Sequence, residues 1–440
     1  MLAKILLYKN IRLPALLHFC RYYRISFMKS SRAAHPELTP ALLWVMAIAT
    51  GLIVANLYYN QPLLGAIASA FHVSSAKAGQ VAMLTQMGYA TGMLFIAPLA
   101  DMQKRKRLIM LCLAIAIISL LGAAAAPNIN VLIVASFLTG IFSLIPQLLV
   151  PMTAHLAKPA ERGRKIGFVM SGLLLGILLS RVISGIVDSY FGWRAMFYIA
   201  AGIMVIIWVL LFFLLPEVEP EYKGSYKLLM RSMLTLIKNE PALRIAAARG
   251  ALCFACFSAF WTTLVFLLGA NFKPVILWLH SFMHIPASAS FVAGLFGLIG
   301  AFGAVAAGIM GRLSDRMDAY KLSTFTLLLI ILSFIVFIFS GHSLFGLIVG
   351  VIVMDMGVQA THISNQTLIF ALKPEARNRI NTIYMVTYFI GGALGTFMAT
   401  QAWKYWQWNG VCFVGITLSI IAIVFHLLNQ KTIQKIRQGV

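Results

Sequence analysis

Apolar residues in this chain come in long unbroken runs separated by short charged stretches, without two-residue alternation. Twelve such runs lie near 41–69, 79–100, 107–126, 129–157, 164–187, 193–215, 245–269, 289–311, 322–340, 343–371, 380–402 and 406–429. About 20 apolar residues suffice to cross a bilayer as a helix, and a helix satisfies its own backbone hydrogen bonds there. A membrane barrel would show alternation and short turns instead. The pattern predicts an all-α membrane protein with twelve transmembrane helices, here called spans 1 to 12.

Composition agrees: 61% of residues are hydrophobic and 11% charged, with a mean hydropathy of +0.89, too little charge to cover a water-facing surface. The formal charge of +23 would suggest nucleic acid on a soluble protein, so its location matters. With the N-terminus cytoplasmic, 30 of the 35 Lys and Arg fall inside; Lys77, Arg194, Lys273 and Lys404 fall outside, and Arg181 lies within a span. That bias places both termini in the cytoplasm and accounts for the basic balance without a nucleic-acid partner.

The five cysteines add little. Cys253 and Cys256 form a C-x-x-C inside an apolar run with no partner pair, which reads as small hydrophobes. No metal-spaced His/Cys cluster, catalytic acid pair or Walker loop appears, so no cofactor, metal or ATP is expected and an enzyme lacks support. Residues 1–40 form a basic tail without the hydrophobic core of a signal peptide. A surface-lying amphipathic helix there competes with a start of translation at Met28.

Internal repetition organises the rest. Asp101 in loop 2–3 and Asp315 in loop 8–9 are 214 residues apart. Lys158-Pro-Ala-Glu-Arg162-Gly-Arg164 in loop 4–5 matches Lys373-Pro-Glu-Ala-Arg377-Asn-Arg379 in loop 10–11 at an offset of 215, which also pairs Gly176 with Gly391, Tyr190 with Tyr405 and Trp193 with Trp408. The chain divides into a tail (1–40), a six-helix bundle (41–216), a charged cytoplasmic linker (217–244), a second bundle (245–429) and a short tail (430–440).

These features resemble the major facilitator superfamily of secondary transporters. Its loop 2–3 signature is met by Leu99, Ala100, Asp101, Arg105 and Lys106, with Ala97 and Lys104 where the family usually has glycines; the second copy keeps Gly311, Leu313, Asp315 and Arg316. Asn56-Leu-Tyr-Tyr-Asn-Gln-Pro62, the span 5 series Gly172, Gly176, Arg181 and Gly185, and Asn365-Gln366 resemble a bacterial inner-membrane branch of efflux transporters near the drug/proton antiporters. Span 4 carries Ser136 where those antiporters have an arginine, and Ile177 follows Gly176 where they have proline. The resemblance implies that Asp101, Arg105, Lys106, Asp315 and Arg316 gate alternating access, that spans 1, 4, 7 and 10 line the cavity, and that transport is export. Physically, Asp101 can hold a closed state by pairing with nearby cations or capping a neighbouring helix; the same cations also anchor topology.

Of the twelve acids, only Asp355 lies clearly within a span. Gln359, His362 and Gln366 follow it on one helix face, a polar stripe that must meet protein or a watery cavity; helix-to-helix hydrogen bonding is the competing role. Arg181 lies 17 residues past Arg164 and Asp355 lies 18 before Lys373, so at ~1.5 Å per residue both sit about 25 Å from the cytoplasmic charges. Arg181 can pair with Asp355 across the halves or with Asp188 on its own helix. Asn56, Tyr59 and Asn60 of span 1, Gln147 of span 4, and Trp261 and Thr262 of span 7 suit an apolar or amphipathic small organic solute held by stacking and hydrogen bonds. The expectation is a monomeric proton-coupled secondary transporter, exporting its solute. Coupled uptake, or a passive channel or facilitator, is the alternative.

Overall fold

A computed structural model describes residues 38–220, 224–284, 286–300, 319–373 and 376–430. These residues form helices and connecting turns, with no strand among them. Span 1 is α1 (Pro40–Ala55) and α2 (Asn60–Ala70), span 2 is α3 (Ser75–Phe95), span 3 is α4 (Arg105–Ala124) and span 4 is α5 (Ile129–Phe142) with α6 (Pro146–Leu156). Spans 5 and 6 are α7 (Arg162–Phe191) and α8 (Trp193–Leu214). The linker carries α9 (Tyr226–Asn239), which turns Leu229, Met233 and Leu236 inward. Span 7 is α10 (Pro241–Asn271), followed by α11 (Lys273–Met283) and α12 (Ala289–Gly300). Spans 9 and 10 are α13 (Ala319–Phe339) and α14 (Leu344–Phe370), and α15 (Arg377–Leu428) contains spans 11 and 12, broken at Gln407.

Ten helical stretches among the described residues are long and apolar enough to cross a membrane. The remainder of span 8, on which the twelve-helix count depends, lies outside the described residues. So do the tails before Leu38 and after Gln430, and the loop holding Asp315 and Arg316. Large apolar side chains such as Ile118, Phe213 and Phe339 face outward, as a lipid-facing surface requires.

Prolines decide where two spans break. Pro62 has no N–H for the Tyr58 carbonyl and its ring crowds that oxygen, so the chain tightens upstream: Asn56 N donates to Ile53 O at 3.2 Å, Leu57 N to Val54 O at 3.1 Å and Tyr58 N to Ala55 O at 2.9 Å. Pro146 likewise stands four residues after Phe142, where α5 stops.

The repeat recurs in local geometry. Gly192, at the turn from α7 to α8, has φ 78°, and Gln407, 215 residues on, has φ 50°. His72 and His284, at the turns into α3 and α12, have φ 51° and 53°. Ser74 Oγ caps α3 by accepting from Lys77 N at 3.3 Å, and Ser288 Oγ accepts from Phe291 N at 3.1 Å, 214 residues later. Gly176 lies against the backbone of Gly51 and Gly391 against that of Ala251, so α7 touches α1 as α15 touches α10, with no room for a side chain. Between the halves, Tyr89 of α3 packs on Phe389 of α15 at 4.5 Å between ring centroids. On the other side a Cβ on Gly294 of α12 would sit 2.7 Å from the Arg181 carbonyl oxygen of α7.

Candidate functional site

The centre of the molecule is a layer of buried polar groups contributed by both halves. Arg181 is 2% exposed. Its Nε donates to Gln61 Oε1 at 3.0 Å, and its guanidinium lies 4.1 Å over the Trp261 ring, 5.1 Å from that of Tyr58 and 5.6 Å from that of Phe257. Stacking on aromatic faces offsets part of the cost of burying the cation. Asp355 is buried on α14, and it meets Trp261 over Gly300, where a Cβ would stand 2.8 Å from Asp355 Oδ2 and 3.5 Å from Trp261 Cζ2. Arg181 and Asp355 thus share the layer and each other's electrostatic reach. No ion pair joins Arg181 to Asp355 or to Asp188 among the described residues. The cation is instead held by Gln61 and the rings.

That arrangement leaves polar atoms open. Among the described residues, Arg181 Nη2, Gln61 Nε2 and Asp355 Oδ1 are buried without a hydrogen-bond partner, a costly condition that native interiors seldom tolerate without purpose, while the Trp261 indole N–H lies beside the Asp355 carboxyl.

The other candidates divide. Asn56 turns into its own half, its Nδ2 donating to Met204 Sδ at 3.4 Å, and Asn60 Nδ2 donates to Thr85 Oγ1 at 2.9 Å. Tyr59 is buried, its carbonyl accepting from Ser184 Oγ at 2.7 Å. Gln147 Nε2 donates to the Tyr89 hydroxyl at 3.2 Å, and Thr262 shares a 3.1 Å hydrogen bond with Thr396. Along the α14 stripe, Gln359 and Gln366 are half-buried, while His362 Nδ1 bonds the Tyr384 hydroxyl at 3.0 Å.

A second buried cation, Arg249 on α10, escaped the sequence reading because it counts among the basic residues leading into span 7. Its Nε donates to Asn365 Oδ1 at 2.8 Å, Nη2 reaches the same oxygen, and Nη1 meets His426 Nδ1 at 3.0 Å. A guanidinium only donates, so His426 Nδ1 accepts and the ring is the neutral Nε2–H tautomer. The network continues from Asn365 Nδ2 to the Tyr384 hydroxyl at 3.5 Å and from there to His362. The signal available was Asn365 beside Gln366 in span 10, a pair of amides in an apolar helix.

A cavity of about 540 Å³ opens at each end of the interface between the halves. One is lined by Asp188, Ser288, Ser290, Trp403 and Gln407 among others. The other, at the end bearing loops 2–3, 4–5 and 10–11, is lined by Arg105, Arg162, Arg377, His155, Asn378 and Asn381, with no carboxylate among the described lining residues. Each of these arginines is braced through Nε on a backbone carbonyl: Arg105 on Ala100 at 3.3 Å, Arg162 on Ala157 at 3.4 Å and Arg377 on Phe370 at 3.1 Å. Arg105 also pairs with Asp101 at 3.5 Å. Lys106 turns away, 5.7 Å from the centroid of the Phe212 ring.

Two helical halves meeting around a buried polar layer, with a cavity at each end, define a membrane transporter. The family model described as the Major Facilitator Superfamily matches residues 46–396 and 262–438, and the chain belongs to that family. It is 41% identical over 391 residues, 88% of this chain and 95% of the relative, to the "Uncharacterized transporter YgaY" of Escherichia coli O157:H7. Its fold is similar to the solved peptide transporter POT in complex with sulfate, with TM-score 0.73 and 14% identity over 92% of this chain and 97% of that one. It is also similar to the nucleoside transporter NupG, with TM-score 0.72 and 15% identity over 88% and 99%. The protein is a multi-pass membrane transporter, not an enzyme.

Proposed function

We propose that this chain is a monomeric proton-coupled secondary transporter of a small organic solute, resident in a bacterial inner membrane with both termini cytoplasmic. Bundles 41–216 and 245–429, joined by 217–244, alternate access to the central layer. Asp355 is the proton-carrying group. The observation that carries this reading is that Asp355 is the one buried carboxylate among the described residues, has an oxygen without a partner, and faces a cation supplied by the opposite half. A carboxyl so placed exchanges one charge state for another between halves that must move apart, which links proton binding to the switch. Asp101 and Arg105 form a contact that opens and closes the basic end.

Export against entering protons is the direction that the resemblance implies. A second direction, uptake together with the proton, is favoured by the buried donors at Arg181, which can serve a solute once Asp355 is protonated. Proteoliposomes of the full chain, challenged with a library of small organic solutes while an internal dye reports pH, test the coupling. Wild type gives solute-dependent proton flux, and Asp355→Asn inserts normally but gives none. Undiminished flux in Asp355→Asn rejects the role.

A further inference from the structure

We infer that the solute is an organic anion whose carboxylate docks on Arg181, Trp261 and Gln61 while Asp355 carries the proton. The inference rests on the central layer being the transport site. Among the described residues Arg181 Nη2 and Gln61 Nε2 are buried donors without an acceptor, and the Trp261 indole N–H, set beside the Asp355 carboxyl, is the third donor of the site. They form one patch, because Gln61 Oε1 already accepts from Arg181 Nε at 3.0 Å and the guanidinium lies 4.1 Å over the Trp261 ring. A carboxylate supplies several acceptor lone pairs at once, whereas an amine adds donors and a second positive charge beside Arg181. The rings of Tyr58, Phe257 and Trp261 around the guanidinium suit a solute whose body is aromatic or apolar. A separate observation points the same way: the 540 Å³ cavity at the basic end presents Arg162 and Arg377 to whatever enters from that side, with Arg105 behind them paired to Asp101. It raises the local concentration of anions and disfavours cations.

The charges also fix the sense of coupling. An ionised Asp355 repels the carboxylate and competes for Arg181; a protonated Asp355 leaves the cation uncompensated. Proton and anion therefore bind together, and each strengthens the other's binding. Cooperative binding of this kind is symport, so an inward proton gradient drives uptake. Among the described residues, the charged and titratable groups facing Asp355 are Arg181 of α7 and Tyr388 of α15, with Tyr58 of the first span facing Arg181 and His362 lying along α14.

The test measures ligand binding to the purified full chain in zwitterionic lipid nanodiscs. The probes are benzoate, phenylacetate, indole-3-acetate and octanoate, each paired with its neutral amide, at about pH 5.5 and about pH 8. At least one carboxylate should bind about tenfold or more tightly than its amide, and more tightly at the lower pH. Arg181→Gln should erase that preference. Asp355→Asn should keep it and flatten the pH dependence, and Arg181→Lys should retain part of it if Arg181→Gln does not fold. The inference is overturned if every amide matches its acid, if carboxylate binding strengthens at the higher pH, or if Arg181→Gln and Arg181→Lys bind carboxylates as wild type does. Proton flux driven by amines and lost in Asp355→Asn would overturn the anion while leaving proton coupling intact. Carboxylate preference without any proton flux would do the reverse.

Discussion

Arg181 and Arg249 are equally sealed, each 2% exposed, yet their surroundings differ in kind. Arg249 has every nitrogen occupied by Asn365 or His426, and those partners are themselves held by Tyr384 and Thr324. Among the described residues Arg181 has one hydrogen bond, three aromatic faces and an Nη2 without a partner. A saturated network rigidifies the helices it joins, whereas a half-satisfied one is a cost that folding alone does not explain. Burial therefore does not separate the two arginines; the completeness of their hydrogen bonding does, and on the proposed function that difference marks Arg181 as the transport residue. The repeat sharpens the contrast, because the position equivalent to Arg181 at the 215 offset is Thr396, which closes a hydrogen bond with Thr262 at 3.1 Å.

The largest expected effect breaks or upholds that contrast directly. Arg249→Gln deletes a cation whose partners are then left buried and unpaired, and should cost about 3 kcal/mol or more of stability, read as a fall in Tm of the detergent-purified protein. Arg181→Gln removes a guanidinium with few bonds to lose and should cost about 1 kcal/mol or less, while solute binding disappears. Equal destabilisation by the two would show that Arg181 is as structural as Arg249.

The all-helical membrane architecture was legible in the sequence because membrane physics writes it in long apolar runs. The site was legible only in part. Asp355 and Arg181 stand out as charges in apolar runs, and Trp261 was placed by its span. Gln61 and Tyr58 were missed because a regular helical face selected Asn56, Tyr59 and Asn60. The tightened turn that Pro62 imposes on residues 56–59 rotates that face, so Asn56 meets Met204 and Gln61 meets Arg181. Arg249 was missed for a different reason: a basic residue near a cytoplasmic helix end reads as a topology anchor until its partners from α14 and α15 are seen. The pattern also gave no hint that the acidic start of the linker docks on loop 2–3.

A smaller effect compares the halves at their matching turns. Gly192, with φ 78° and ψ 162°, adopts its conformation at no steric cost, whereas Gln407, with φ 50° and ψ −139°, holds a backbone region that side chains disfavour. Gln407→Gly should raise stability by about 1 kcal/mol and Gly192→Ala should lower it by about as much, both measured as shifts in Tm. A loss in Gln407→Gly would mean that the glutamine side chain, which lines the cavity at the Asp188 end, contributes more than its backbone strain costs.

The smallest effect supplies the exposed counterpart to the two buried arginines. Lys104, standing where the family usually has glycine, pairs with Glu217 at 2.8 Å and Glu219 at 3.4 Å at the start of the linker, with Lys104 and Glu217 about half exposed and Glu219 more so. The hydrogen bond from Lys104, and then its charge, hold the Glu217 carboxyl below its ordinary range, and the same contacts raise the Lys104 ammonium. A lowered carboxyl contributes stability above its unfolded pKa and loses it as pH falls through the folded value; a raised ammonium contributes below its unfolded pKa and loses it as pH rises through the folded value. The pair is therefore intact across the neutral range and weakens only at either extreme. Solvent and salt screen it, so Glu217→Gln should move Tm by no more than about a degree at neutral pH, and added salt should shrink even that difference. A Tm loss in Glu217→Gln comparable to that of Arg249→Gln would show that the linker is clamped on loop 2–3 as firmly as the buried network clamps α10, and would place stability in the linker rather than in burial.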